Sequence, residues 1–393
     1  MLRSDEAKAV GELAGEALGG AGAIVCDVQR GVAGRVFGML GVAAAPVRVA
    51  HDGISAAVHA SVRAGLRALP SGGGRALALR APADAPRLAD SPRGAFALGA
   101  VNGMWGDRLA RDHAPLALGF DLRVDGQPTD RIAVFVHGLC ETDEAWRLGG
   151  GPTYGERLRA DLGHTPVFAR YNTGRHISEN GRALAAALEA LVDEWPVPVA
   201  ELVLAGHSMG GLVARSACHY GARDGMGWIG ELRHLVCLGS PHLGAPLERA
   251  AARGAHWLNR LPETAPLARL LTARSAGVKD LRYGACLEED WDGIDPDAWG
   301  PDGCGEVPFL PGVSYCYVGA TVARDKDSPL GRIVGDALVQ FPSASGDGPK
   351  RRLAFELENG LHVGGANHLQ LLNHPKVYEQ LLSWLQPSAL AGA

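Results

Sequence analysis

The sequence predicts a mostly parallel central β-sheet covered by helices, with an N-terminal helical extension and an insertion over one end of the sheet. Three observations carry this α/β assignment. From about residue 116, short apolar runs typical of buried strands alternate with stretches of helical periodicity. One of those runs passes directly into Gly206-His207-Ser208-Met209-Gly210 and then into a helix. Between about 244 and 312 the alternation stops, and leucines and tryptophans gather instead.

Residues 1–115 are rich in Ala and Gly. Apolar residues recur at three- and four-residue spacings over 5–18, 29–40 and 52–68, as with Ile54, Val58 and Val62, and Gly and Pro interrupt the pattern at Pro70–Gly74 and Pro82–Pro92. No catalytic motif lies here, so a packed helical extension is expected, with a substrate-covering or oligomerising role as the alternative. Leu116–Val124 reads as a strand closed by a turn at Asp125–Gly126, and Ile132–Val136 and Thr165–Tyr171 as buried strands. Ser178 has the chemistry of an N-cap, and Leu184, Leu188 and Leu191 line one face of the helix after it. Leu202–Ala205, Leu235–Leu238, Val313–Val318 and Leu353–Leu357 read as strands, Met209–Tyr220 and Val377–Leu385 as helices. The sheet-and-helix core is therefore assigned to 116–243 and 313–393, and a cap or lid insertion to 244–312.

The 393 residues carry 38 basic and 43 acidic side chains, a formal charge of −5, which gives no electrostatic reason to expect a nucleic-acid partner. Apolar residues at 47% and charged residues at 21% exclude a disordered or fibrous chain. No uninterrupted apolar run reaches the roughly 18–20 residues that span a bilayer, and the N-terminus carries acids where a signal peptide would be apolar. A soluble, cytoplasmic protein without a stable membrane anchor is the expectation. Seven cysteines are too few and odd in number for a disulfide scaffold. Cys218, Cys237 and Cys316 lie in apolar runs, whereas Cys286 and Cys304 flank a Gly/Asp/Trp-rich loop and are candidates to pair.

The chemistry concentrates in LVLAGHSMGGLVARSA. A serine on a sharp strand-to-helix turn needs small neighbours where backbones crowd, and the turn thrusts its hydroxyl out at the C-terminal edge of the sheet. The same turn sets the Met209 amide at a helix N-terminus, where a developing oxyanion is favoured. Earlier, VFVHGLCETDEAW carries a buried strand into His137-Gly138 and then a loop.

With these two motifs about 70 residues apart, the sequence resembles the α/β-hydrolase superfamily, and within it bacterial lipases and carboxylesterases. LGSPHLGAP at 238–246 and YNTG at 171–174 resemble segments of the same enzymes. The resemblance covers roughly 116–245 and 313–386. It implies an α/β-hydrolase fold and an ester hydrolase in which Leu139, the residue after His137-Gly138, supplies the second oxyanion-hole amide beside Met209. It also implies the chain order nucleophile, acid, histidine. Three histidines follow the last strand, His362, His368 and His374; Ala366-Asn367-His368-Leu369 matches the family's base loop best, while His137 precedes the nucleophile and would serve the loop. For the acid, Gly335-Asp336-Ala337-Leu338-Val339 resembles the lipases' acid segment, with Asp325 and Asp327, directly after YCYVGATV, as alternatives.

Several bacterial lipases carry a calcium-site aspartate two residues after the base histidine. This chain has Gln370 there, a poorer ligand for a hard cation. No cluster has zinc-like spacing, and GHSMGG lacks the lysine of a phosphate-binding loop. No metal and no organic cofactor are expected. The substrate expected is a small-molecule or polymeric ester with an apolar acyl group; acyl transfer, amide or phospholipid hydrolysis on the same fold, or binding without catalysis, is the alternative. Trp257, Leu258, Leu261, Leu267, Leu270 and Leu271 of the insertion are the candidates for an apolar wall above Ser208.

Overall fold

The computed structural model describes residues 2–40, 45–81, 85–258, 266, 272–295 and 303–386. Seven strands form one sheet: β1 (Asp121–Val124), β2 (Arg131–Val136), β3 (Thr165–Arg170), β4 (Glu201–His207), β5 (Leu232–Leu238), β6 (Ser314–Thr321) and β7 (Gly360–Gly364). Their order is β1-β3-β2-β4-β5-β6-β7, with β1 antiparallel to β3 and every other pair parallel. From β2 the chain steps outward to β3, then returns to place β4 on the other flank of β2. That reversal opens a crevice beyond the carboxyl ends of β2 and β4, where open α/β sheets bind ligands.

Strands β2 to β6 are largely buried because both faces of the sheet are covered, whereas the edge strands β1 and β7 are more exposed. Ile132, Val134 and Val136 face one side, where Leu184 and Leu188 of α5 (Ile177–Asp193) and Leu212 and Val213 of α6 (Met209–Arg223) join them in one buried cluster. Ala133 and Phe135 face the other, clustered with Trp146, with Tyr154 and Leu158 of α4 (Tyr154–Leu162) and with Leu381 of the closing helix Pro375–Leu385. Burying each such leucine contributes about 1.5–3 kcal/mol relative to exposure. Local chemistry sets the helix ends. Thr153 and Glu156 form a reciprocal capping box at the start of α4, and Gly163, left-handed at φ 76°, closes it.

The N-terminal region is a long helical hairpin. It consists of α1 (Ser4–Leu40) and α2 (Ala45–Ala78); α2 runs through the expected interruption at Pro70–Gly74, whereas the one at Pro82–Pro92 lies beyond its end. The glycines serve close approach: a Cβ on Gly11 would lie 2.6 Å from both the Gly74 Cα and the Pro70 carbonyl oxygen. The hairpin is tied to the rest of the molecule near its base. Glu16 pairs with Arg108 at 2.7 Å, Glu6 accepts from the Leu88 amide at 2.8 Å, and Ala9 clusters with Leu98, Leu109 and Leu116. Over Ser4–Gly31, α1 is by length and composition apolar enough to cross a membrane, because its scattered charges are outweighed across the helix although no single apolar run stands out.

Several sequence expectations need correction. Leu116–Val124 is a strand only from Asp121, after a 3-10 turn at Ala114–Leu116. Leu353–Leu357 is not a strand. A single bridge joins Asp347 to Arg352, a 3-10 turn covers Leu357–Asn359, and the last strand is β7, which places His362 inside a strand rather than after it. α5 starts before Ser178, with the Glu179 carboxylate accepting from the His176 amide at 3.1 Å; the Ser178 hydroxyl instead accepts from the Trp291 indole at 2.9 Å. Cys286 is a thiol buried against the Gly284 carbonyl and is not joined to Cys304.

Candidate active site

β4 ends at His207, and the chain turns through Ser208 at φ 52°, ψ −122° before α6 begins at Met209. Such a backbone costs a serine roughly 1–3 kcal/mol, so the surroundings must over-determine it. They do so by crowding. A Cβ on Gly206 would lie 2.4 Å from the Gly211 nitrogen, and one on Gly210 would lie 2.1 Å from the Val136 carbonyl oxygen, so only glycine lets α6 dock on β2 and β4. The Ser208 amide donates to the Leu238 carbonyl at 2.8 Å, fixing the turn to β5. Ser208 is half-buried, and the Met209 amide sits in the first turn of α6, where helix geometry supplies no acceptor.

Asp336 and His368 are brought together. The Asp336 Oδ2 lies 2.6 Å from the His368 Nδ1, and both residues are buried. The carboxylate is held by its own turn: Oδ1 accepts from the amides of Leu338 at 3.0 Å and Val339 at 2.7 Å, with Gly335 and Ala337 at positive φ. The two loops are also joined through backbone, His368 N–H to Asp336 C=O at 3.0 Å. The other imidazole nitrogen, Nε2, is buried and makes no hydrogen bond. A Cβ on Gly239 would lie 3.0 Å from the ring, so glycine at the end of β5 leaves it room.

The alternatives lie elsewhere. Asp325 and Asp327 are exposed; Asp325 caps the Asp327 amide at 2.9 Å, and Asp327 pairs with Lys326. His362 bonds the Thr321 hydroxyl at 2.8 Å, and His374 caps the closing helix through the Lys376 amide. Gln370 caps the base loop: its side chain accepts from the Asn367 amide at 2.8 Å, while its own amide donates to the Asn367 side chain at 3.1 Å. Among the described residues, no group of three or more His, Cys, Asp or Glu side chains is placed to hold a metal ion.

The loop after β2 supplies the third wall. His137 is fully buried and stacks on Tyr171, 4.3 Å between ring centroids. Its Nδ1 faces the Gly138 carbonyl at 3.0 Å, and its Nε2 faces the Tyr171 amide at 3.4 Å. One acceptor and one donor suit a neutral ring, and burial pushes its pKa down to about 4. The amides flanking Leu139 are engaged, Gly138 by the Glu141 carboxylate at 2.7 Å and Cys140 by the Thr173 hydroxyl at 3.2 Å. Among the described residues nothing engages the Leu139 amide itself. Glu141 also meets His207 Nδ1 at 3.1 Å, and His207 Nε2 meets the His368 carbonyl at 3.2 Å.

Ser208, His368, Leu139 and Glu141 open on one cavity of about 370 Å³. Its walls are largely apolar, a composition suited to an apolar ligand. They come from four parts of the chain: Phe96 of α3 (Pro92–Asp112), Leu148, the insertion residues Val278 and Leu281, and Leu338 with Leu369 beside the acid and base. The expected wall differs. Trp257, in α7 (Pro246–Leu258), is 64% exposed, and neither it nor Leu258 lines the cavity. Leu261, Leu267, Leu270 and Leu271 lie outside the described residues. Phe96, Leu148, Leu338 and Leu369 were not singled out by the sequence; for the last two, proximity to Asp336 and His368 is the signal. A second cavity of about 360 Å³, lined by His176, Asp280 and Trp291, shares no lining residue with the first and does not include Ser208.

Sheet order, the strand-to-helix elbow at Ser208 and the buried Asp336–His368 pair beside it define an α/β-hydrolase fold. More particularly, residues 128–264 match the family model described as PGAP1-like alpha/beta domain. No curated protein sequence matches the chain. Among solved structures, it is similar to a Bacillus licheniformis lipase in mature form, at 18% identity over 67% of this chain and 96% of that one, TM-score 0.42. A lipase-esterase related protein of Clostridium acetobutylicum aligns at 13% identity over 68% of this chain and 100% of that one, TM-score 0.39. A Pyrococcus furiosus esterase aligns at 15% identity over 67% and 84%, TM-score 0.38.

Proposed function

We propose that the protein is a serine hydrolase that cleaves carboxylic esters with an apolar acyl group through an acyl-enzyme. The observation that carries this reading is the buried Asp336–His368 pair, whose Nε2 has no hydrogen-bond partner and whose histidine lines the same cavity as the strained Ser208. Asp336 orients the ring by its bond to Nδ1 and stabilises the imidazolium formed during reaction. His368 Nε2 takes the Ser208 proton as the hydroxyl oxygen attacks the acyl carbon. The amides of Leu139 and Met209 receive the oxyanion, each worth roughly 3–4 kcal/mol by analogy with measured removals of such donors. The proton then passes from His368 to the departing alcohol. Water repeats the sequence, losing its proton to His368 and releasing the acid. Bonds between serine and histidine are often long without substrate and tighten when it binds, consistent with the free Nε2.

Activity on a series of p-nitrophenyl esters of increasing acyl length, with Ser208→Ala as the control, tests the reading. Turnover that vanishes in Ser208→Ala and depends on acyl length is expected. Hydrolysis unchanged in a folded Ser208→Ala protein would overturn it.

A further inference from the structure

Beneath the nucleophile lies a second carboxylate–imidazole pair with no part in the proton relay. His207 is fully buried, directly before Ser208, and each of its ring nitrogens faces an acceptor: Glu141 Oε2 at 3.1 Å and the His368 carbonyl oxygen at 3.2 Å. A neutral imidazole has one N–H and satisfies only one acceptor; the doubly protonated ring satisfies both. We propose that His207 and Glu141 form a buried ion pair that positions the catalytic loops, locking elbow, oxyanion loop and base loop in register. The proposal rests on the reading of Ser208 as nucleophile and assigns positioning residues for that reaction.

The pair touches each loop once. The Glu141 oxygen that meets His207 also accepts from the Gly138 amide at 2.7 Å, which fixes the peptide leading to Leu139. His207 belongs to β4 and carries Ser208 on its C-terminal side. Its Nε2–H holds the backbone of His368, whose ring Asp336 holds from the opposite side. The His207 and His368 rings lie 4.7 Å apart, and the Trp146 ring flanks His207 at 6.4 Å. The ionisable groups facing the pair are Asp336 and His368 on the base side, and His137, Cys140 and Tyr171 on the side of β2 and its loop. Burial opposes charge on both partners, yet for His207 the Glu141 charge and hydrogen bond outweigh it and raise the pKa. For Glu141 burial is likewise outweighed by the charge and hydrogen bond of His207, and its pKa falls. Both directions favour the charged pair.

The test combines kinetics with nitrogen-15 histidine NMR of the full chain at neutral pH, with His207 signals assigned by their loss in His207→Gln. In the wild type both His207 ring nitrogens should carry protons. Glu141→Ala, which frees the Gly138 amide and the His207 ring, should lower kcat about 100-fold with KM changed less than about threefold, the scale of a 1 Å misplacement. Glu141→Gln keeps an acceptor for Gly138 but not the charge; it should lower kcat about 10-fold and leave His207 singly protonated. A bare ring nitrogen on wild-type His207, or an unchanged kcat in either folded Glu141 variant, overturns the proposal. Fluorophosphonate labelling separates this failure from that of the hydrolase reading. Wild-type protein that labels at Ser208 and turns over ester while Glu141→Ala does so equally well sinks the positioning role alone. Wild-type protein that neither labels nor hydrolyses ester sinks both.

Discussion

The loops at the C-terminal edge of the sheet and the hairpin α1–α2 use glycine for the same purpose with different consequences. At the elbow, a Cβ on Gly210 would strike the backbone of β2, a central strand with neighbours on both sides. In the hairpin, a Cβ on Gly11 would strike α2, which packs chiefly along α1. The edge loops are over-determined: His207 and His368 each hold two partners from loops distant in sequence, and Asp336 and Glu141 each hold one such partner together with amides of their own turns. The hairpin exposes large apolar residues such as Leu69 and Leu77 and meets the core mainly near its base. Rigidity is thus concentrated where a 1 Å error is expensive in rate.

Ser208→Ala should give the largest effect, a fall in kcat of roughly 10⁴–10⁶-fold with little change in melting temperature. Steady-state kinetics and thermal unfolding on the same preparation check it. A large loss of stability would mean that the serine side chain holds the turn, erasing the distinction between a strained elbow and the glycines that support it. Asp336→Asn should follow, lowering kcat by about 10⁴-fold through the wrong histidine tautomer, while Asp325→Asn and Asp327→Asn leave it within about twofold. Equal losses in all three variants would place the acid in the exposed loop and break the link between burial and function at this edge.

Acid should also separate the two regions. The folded state holds His137 neutral, with a pKa of about 4 against 6.5 for a free imidazole. Its contribution is therefore complete above about pH 6.5 and is lost as pH falls toward 4, on the order of 3 kcal/mol over that window. His242, pushed well below its ordinary value by burial beside Arg215, acts in the same direction. His207 acts in the opposite one: its raised pKa gives a contribution complete below about 6.5 that fades as pH climbs through the folded value. Denaturant midpoints at pH 7 and pH 5 should show the core losing stability, and His137→Phe should make that loss shallower. An equally steep loss in the variant would remove His137 as the cause.

Much of the core was legible in the sequence because burial on both faces demands near-continuous apolar strands, and each of the runs at 132, 165, 202, 235 and 313 falls on a strand. The elbow was legible because its steric demand for glycine is written into GHSMGG. Asp336 was reached through resemblance rather than spacing; the structure gives the physical signal, a carboxylate held by two amides of its own turn. Other features are invisible to local pattern. Leu353–Leu357 has strand composition but no neighbour to pair with, and Pro70 stays within α2 despite its helix-breaking character. Glu141 follows Gly138 by three residues, yet nothing local says that it will meet His207, 66 residues on. The cavity wall draws on Phe96 of the N-terminal region, where periodicity favours a packed extension and no local motif points to the cavity.

That wall makes Phe96 the residue on which the two regions meet, and it carries the smallest effect expected. Its helix, α3, lies against the oxyanion loop through glycine: a Cβ on Gly103 would sit 2.3 Å from the Cys140 sulfur, and Ser275 bonds the Gly103 carbonyl at 2.6 Å. Phe96 is 38% exposed where it lines the cavity, so truncation should cost little stability. It should instead remove acyl contact. At about 0.8 kcal/mol per buried methylene, losing contact with two methylenes amounts to roughly a tenfold fall in kcat/KM for long acyl chains, with short esters unaffected. Leu69→Gln, on the exposed surface of α2, should leave the same acyl-length profile unchanged and stability within about 0.5 kcal/mol. A flattened profile in Phe96→Ala but not in Leu69→Gln would show that the N-terminal region contributes to specificity through α3 and not through the hairpin. A profile altered by Leu69→Gln would show that the hairpin acts on the cavity as well, and the contrast between the two regions would fail.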